Sequence, residues 1–568
     1  MKVWLVPGSP RDESHYLGAI LRAWGVYLVE RADPSAALRA ADSTEDILVV
    51  SPGSPTEGIE EFLSAGGKVI AVCPNDDLAA KAGLRRLEAR DAHTRVRLSA
   101  TLCKPARGKT LWNPAPSVAY KGEFGAHVWA WQYVDGDMAS ECPAIYSSNV
   151  GRGRLVVFGY DPALTIARLR QGMPRRANYI PPGDRFPRSV HLHEPNPPTD
   201  AYWQPTADLH ALTFCNVVKR LLSERAPVPT VWHLPENRNS VLIFSGDEDG
   251  APQSANQKEL QDVTAAGGTM NLYVIPEMTS ITRELIQSYE RAGHTVSVHP
   301  NLYPTQGRSQ TEQLARAECE VRLMREKFGV AVKTVRNHST IWPGYVELPE
   351  LWERLGISMD ANCFASRYGQ SCEWGPYVNV DSAMPLPFVR EDGTLIRVYQ
   401  QPTHISDDMT CLLNKGVGQK LTPEAVVYLA QCMLDDAAQQ YHAPICVCIH
   451  PEPYVEYSRE LGHGLLSHAR RLALPIWSVD RWHDFWRARE SQRMEEFSWE
   501  NSRLRFTLRG SECPGLTLNL PPEHGGKRLR SVTVNGRDGS SENAPRFGET
   551  MQSAICSSDK SEVVATYE

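Results

Sequence analysis

The stretch Val241-Leu242-Ile243-Phe244-Ser245-Gly246-Asp247-Glu248-Asp249-Gly250 decides the reading of this chain. Four apolar residues in succession suit a strand buried on both faces. The run stops at Gly246, and three acids follow before the next glycine. Carboxylates at the exit of a buried strand stand where a parallel α/β fold places its chemistry.

The same pattern recurs downstream. Strands are expected at Met270 to Ile275, Thr295 to Val298, Val332 to Val335, Ile357 to Asp360, Ile445 to Ile449 and Ile476 to Val479. Helical spacing fills most of the gaps, at Ser254 to Ala266, Thr279 to Ala292, Glu312 to Phe328, Val346 to Leu355, Pro423 to Ala438 and Ser458 to Leu472. Strands alternating with helices imply parallel pairing, here as a barrel one strand short of eight. Cys363 to His404 is irregular, with hairpin character around Asp392-Gly393 and a strand at Leu395 to Tyr399; His404, Asp407 and Asp408 follow in a polar loop, either solvated or in contact with substrate.

Several expected strands end at a group able to titrate or to bind metal. Asp247, Glu248 and Asp249 follow the first, and His299 ends the third. Arg336 and His338 follow the fourth, Asp360 and Asn362 the fifth, and His450 the sixth. One carboxylate with two imidazoles is a common ligand set for a divalent cation, which polarises a carbonyl and lowers the pKa of bound water. A second carboxylate can act as base, a further histidine as acid, and an arginine can brace the base.

This series resembles the motif order of the polysaccharide deacetylase family, over roughly Asn239 to Arg489. The resemblance implies Asp247 as base, Asp249 (or Glu248) and His299 as metal ligands, His450 as catalytic acid and Arg336 as the brace. It implies amide or ester hydrolysis with a divalent metal, zinc first. Tyr303 stands where that family has its second metal histidine. His338 is expected to replace it, with His294 as the other candidate. Asp360, Asn362, Tyr303, Trp342 and His404 are candidates for orienting groups or substrate contact. Tyr345 and Trp374 are further candidate stacking platforms. Two other readings remain: a non-catalytic carbohydrate-binding scaffold on a degenerate barrel, and a hydrolase of a non-sugar carbon–nitrogen bond.

Upstream, Val3 to Val6, Val26 to Val29, Ile47 to Val50, Val69 to Val72 and Arg154 to Phe158 read as strands of a doubly wound sheet, with Leu209 to Leu222 as the last helix. This unit resembles, more weakly, class I glutamine-amidotransferase-like domains. Cys73 occupies the place of their nucleophile, but Pro74 and Asn75 follow where small glycines belong, so a non-catalytic unit is expected. Pro174 to Pro205 reads as a long loop or lid. From Phe497 the pattern alternates, with Asn535-Gly536 as a turn, which suits a small antiparallel module. The end from about Ser558 is expected to fray.

The expected units are therefore residues 1–228, 229–492 and 493–568, an α/β chain throughout. Its 568 residues suit three or four domains. With 42% hydrophobic residues, 22% charged residues and a net charge of -7, large cores are allowed and a basic nucleic-acid stripe is absent. No apolar run spans a bilayer and no secretory leader is visible, so a cytoplasmic protein with reduced cysteines is expected. The expected partner is a small molecule or carbohydrate; a homo-oligomer is compatible.

Overall fold

A computed structural model describes residues 1–91, 93–122, 127–193, 198–365, 375–411, 421–539 and 542–568. Trp374 lies outside the described residues.

The N-terminal sheet runs Val29–Arg31, Val3–Val6, Ile47–Val50, Lys68–Val72 and Gly153–Phe158, all parallel neighbours. Alternate residues of its strands feed two separate cores. Ile70, Val156 and Phe158 join one; Val69, Ala71, Leu155 and Val157 join the other. Period-two alternation between two apolar layers is what a sheet covered on both faces requires. Four antiparallel strands then widen it: Asp137–Val150, Val128–Val134, Thr94–Leu98 and Thr110–Asn113. The expected parallel half is present, and its second strand begins at Val29 rather than Val26.

The central sheet has the order Leu386–Val389, Leu395–Gln400, Met359–Asp360, Thr334–Val335, Thr295–Val298, Asn271–Val274, Val241–Asp247, Pro444–Cys448 and Ile405–Ser406. Only the first pair is antiparallel. Residues 401–404 are all that separates Leu395–Gln400 from Ile405–Ser406, although the two lie toward opposite ends of this order. Five Cα steps reach at most about 18 Å, so the sheet curls enough to bring its two sides that near. Gln401 N donates to Asp360 O at 2.8 Å on one side, and His404 N to Cys446 O at 2.8 Å on the other.

The seventh expected strand is present but shorter. Ile476–Trp477 is two residues long beside Leu242 and Ile243, and Val479 opens the helix Val479–Glu490. The strand expected at Leu395 to Tyr399 is present as Leu395–Gln400, and Ile405–Ser406, just past the expected insertion, adds a second, on the far side of the sheet order. The Gln401-Pro402-Thr403-His404 interruption between them masks the strand pattern, because proline cannot donate to a ladder.

The tail forms two antiparallel sheets. In one, Lys560–Tyr567 lies between Arg503–Arg509 and Lys527–Val534, so the chain end is an internal strand and not a frayed tail. In the other, Thr230–Val231 pairs with Thr517–Leu520, tying the tail to the segment that precedes the central sheet. Arg489, fully buried, donates to the carbonyls of Arg22, Ala23, Val231 and Trp232, all at 3.0 Å. One contiguous apolar cluster runs from Val3 to Tyr567. Among the described residues no helix is long and apolar enough to cross a membrane.

Candidate active site

Asp247, Asp249, His299, His338 and His450 line one cavity of about 70 Å³ at the C-terminal ends of the central strands. The parallel register dictates this convergence. Asp247 is the last residue of its strand, His299 follows Val298, and His450 comes two residues after Cys448.

Arg336 sits behind Asp247, fully buried, and its Nη1 donates to Asp247 Oδ1 at 2.9 Å. Burial alone would raise the Asp247 pKa. The positive charges at His299 and Arg336 outweigh it and hold the carboxyl below its usual range. Arg336 is itself fixed by Ala361 O at 3.2 Å and Thr403 Oγ1 at 3.1 Å.

His299 donates from Nδ1 to Arg336 O at 2.7 Å. That bond turns Nε2 toward the cavity, 3.2 Å from Asp249 Oδ1 and 3.7 Å from Asp247 Oδ2. His299 Nε2 and Asp249 Oδ1 are both enclosed, and neither makes a well-formed hydrogen bond despite the short approach. The two atoms form an ion pair, and both residues border the cavity. Burial lowers the His299 pKa, but Asp247 and Asp249 more than restore it. The carboxylates that hold a proton there would equally favour a metal cation.

His338 Nε2 lies 3.9 Å from Asp249 Oδ2, and its Nδ1 meets Asn301 Oδ1 at 3.2 Å. Burial pushes its pKa down to about 4, so the ring is neutral at pH 7. Ligands 2.0 to 2.2 Å from one metal stand at most about 4.4 Å apart. The Asp249–His299 and Asp249–His338 separations fit that limit; the two imidazole centroids are 5.4 Å apart. Asp249 has φ 49°, and Ser339 and Thr340 after His338 have φ 54° and 51°. Left-handed backbone at non-glycine positions is held only where its surroundings enforce it.

His450 Nδ1 meets Asp407 Oδ1 at 2.6 Å, while Asp407 Oδ2 accepts from His450 N at 3.0 Å and Ser458 Oγ at 2.8 Å. Burial opposes charge on the ring, yet Asp407, Asp408 and Asp247 raise its pKa well above the usual imidazole range. Asp247, Cys448 and His450 have ligand-type atoms within 4.8 Å of one another, as do Asp407, Asp408 and His450. Asp249, His299 and His338 do not together meet that 4.8 Å limit. Asp247 is committed to Arg336 and Asp407 to a protonated ring, and burial keeps the Cys448 thiol protonated. Asp407 and Asp408 are functional candidates that the sequence reading set among polar loop residues.

The other expected site residues divide. Asp360 accepts from Trp352 Nε1 and Asn362 Nδ2, both at 2.9 Å, and Asn362 Oδ1 accepts from Asn337 N at 2.6 Å. They shape the loop that carries His338. Glu248 accepts from Gly250 N and Thr279 Oγ1 at 3.0 Å and braces its own turn. Tyr303 packs tilted against His338 with ring centroids 5.0 Å apart and reaches Ser339 Oγ at 3.1 Å, outside the lining of the cavity. His294 bonds Thr264 and Met270 N, away from the cavity.

Trp342 and His404 are corrected as substrate contacts. Trp342 is buried, with its Nε1 donating to Tyr345 O at 3.0 Å. His404 is fully buried and its Nδ1 accepts from Cys446 N at 3.1 Å, so it holds backbone rather than facing solvent. Their apolar or strand-end setting pulls both into the core.

The Pro174 to Pro205 segment reaches this mouth within the same chain. Trp342 N donates to Pro187 O at 2.9 Å, Ser189 Oγ to Asn362 O at 2.9 Å, and Phe186 packs edge-on against Tyr303 at 5.2 Å. Cys73 does adopt a left-handed φ of 44°, as a nucleophile at a sharp turn would. Burial and Asp161 push its thiol pKa up, and no imidazole is among the charges bearing on it. It has the backbone of a nucleophile without the activation.

No family model and no curated protein matches the chain. Solved structures give distant likenesses. The carbohydrate deacetylase Agd3 is 8% identical, with 100% of this chain and 98% of that chain covered at a TM-score of 0.42. A putative polysaccharide deacetylase from Mycobacterium smegmatis is 16% identical over 48% of this chain and 98% of its own, with a TM-score of 0.34. A family 4 carbohydrate esterase from Streptomyces lividans is 10% identical over 42% and 92%, with a TM-score of 0.26. Likenesses this remote carry no chemical argument.

Proposed function

We propose that the curled sheet is a (β/α)7-type barrel of the polysaccharide-deacetylase kind, and that the chain is a metal-dependent hydrolase releasing an acyl group from an amide or ester. Residues 1–228 and 493–568 form flanking units, the first lending its long segment to the site mouth. One observation carries the reading: enclosed His299 Nε2 and Asp249 Oδ1 pair at 3.2 Å on the wall of the cavity, while the other nitrogen of His299 is tied to Arg336 O.

Asp249, His299 and His338 would hold a divalent cation, zinc by donor type. When bound, it would polarise the scissile carbonyl and make water more acidic. Asp247, kept ionised by Arg336, takes the proton of the attacking water. His450, kept protonated by Asp407, gives a proton to the departing amine or alkoxide. A ligand-type atom of Asp247 lies within 4.8 Å of one of His450, which supports a base and an acid serving one reacting carbon. The scaffold reading would leave this protonation pattern without a purpose.

The test is acetate release by the zinc-supplied full chain from N-acetylated oligosaccharides, O-acetylated sugars and small acetamides. Release that disappears in Asp247→Asn is expected. No release from any of them by metal-replete protein contradicts the reading.

A further inference from the structure

A second cavity, of about 470 Å³, lies far in sequence from the candidate active site, between the helix Thr206–Ser223 and the C-terminal sheets. Its size falls in the range of about 300 to 1,000 Å³ usual for small-molecule sites. Its lining carries Lys104, Lys219, Arg220 and Arg546 against Glu523 and Glu549, so four cations face two acids in a chain of net charge -7.

Arg546 is the anomaly. It is 4% exposed, and every hydrogen bond it makes goes to a neutral acceptor. These are Asn239 Oδ1 at 2.9 Å, Pro545 O at 3.2 Å, Asn519 Oδ1 at 3.4 Å and Asn237 Oδ1. No carboxylate among the described residues pairs with it. Burial brings its pKa down only to about 10, so it stays charged at pH 7. An enclosed charge without a counter-charge is costly, and an incoming anion offsets that cost. The guanidinium lies 4.0 Å over the Trp232 ring, which fixes its plane.

Lys219, on the facing helix, is partly buried, and its ammonium meets no acceptor among the described residues. Lys104 donates to Gly548 O at 3.0 Å and lies 4.0 Å from Glu549. Trp24, Trp232 and Phe547 add flat apolar surface.

We propose that this cleft binds a small ligand bearing an oxyanion on a flat or apolar body, with Arg546 and Lys219 as its cationic partners and the tryptophans as its platform. A phosphate monoester and a carboxylate share the required chemistry: both accept a charge-assisted bond from the one Arg546 N–H not already donated and a point charge from lysine. The proposal does not depend on the hydrolase reading.

The experiment is calorimetric titration of the full chain with phenyl phosphate and, separately, benzoate, at matched ionic strength against chloride. Saturable binding of at least one is expected, and which one binds tells phosphate from carboxylate. Lys219→Gln and the exposed Lys104→Gln should each weaken it, the former by about tenfold or more. Asp249→Asn, at the other cavity, should leave it unchanged. The proposal is overturned if neither compound saturates, or if folded Lys219→Gln and Lys104→Gln bind as tightly as the unaltered chain.

Discussion

At the scale of single residues, the site works by giving two carboxylates opposite neighbours. Asp247 faces Arg336 and stays ionised; Asp407 faces His450 and keeps the imidazole protonated. Asp247→Asn should abolish acyl release while metal content is unchanged, because only the base is removed. His450→Ala should slow amides far more than activated aryl esters, since a poor leaving group needs the proton more. Equal losses on both, in steady-state kinetics, would remove the acid assignment. The convergence of Asp247, Asp249, His299, His338 and His450 on one cavity was legible in the sequence because each stands at or just past the end of a recognisable apolar strand. Asp407 was not. Its strand, Ile405–Ser406, is two residues long and comes after a proline-containing link, so no periodicity announces an exit. His404 and Trp342 misled because residue type says nothing of the side a chain faces.

At the scale of elements, second-row polar groups fix the loops that carry the site. Asn362→Ala strands the buried Asn337 amide and should cost about 1 to 3 kcal/mol in urea unfolding, the range for an orphaned buried donor. An unchanged midpoint would show that this loop is held otherwise. The helix Val479–Glu490 makes a pH prediction. Burial lifts the Asp480 carboxyl from 3.8 to about 6, with Thr334 Oγ1 donating to it at 2.6 Å. The folded chain therefore prefers the protonated acid. That stabilisation is complete below about pH 4 and is lost as pH rises through 6. Asp480→Asn, which keeps the acceptor, should exceed the natural chain at pH 7 by up to about 3 kcal/mol, with no advantage at pH 4. A difference that does not vary with pH would contradict the origin given. The parallel elements were readable from apolar runs and intervening helices. The antiparallel strands between Thr94 and Val150 were passed over, although Asp135-Gly136 between Val134 and Asp137 is a strong hairpin signal.

At the scale of the whole molecule, the three segments share one core, and the chain end is part of it. Tyr567 is 1% exposed and Lys560–Tyr567 pairs on both sides. Deleting residues 558–568 should therefore leave two unpaired strand edges and lower both soluble yield and thermal transition. A truncated chain that melts as the full one does would restore the frayed tail expected from sequence, which had only local polarity to judge by. Register between distant strands is a tertiary property, and no window of sequence carries it. The central claim concerns a cation held by the intact chain, and elemental analysis of the purified, zinc-exposed and desalted protein tests it most directly. About one divalent ion per chain is predicted, retained in Asp247→Asn and lost in both Asp249→Ala and His299→Ala. A full chain that holds no ion, or ligand variants that hold as much as the natural protein, would contradict it.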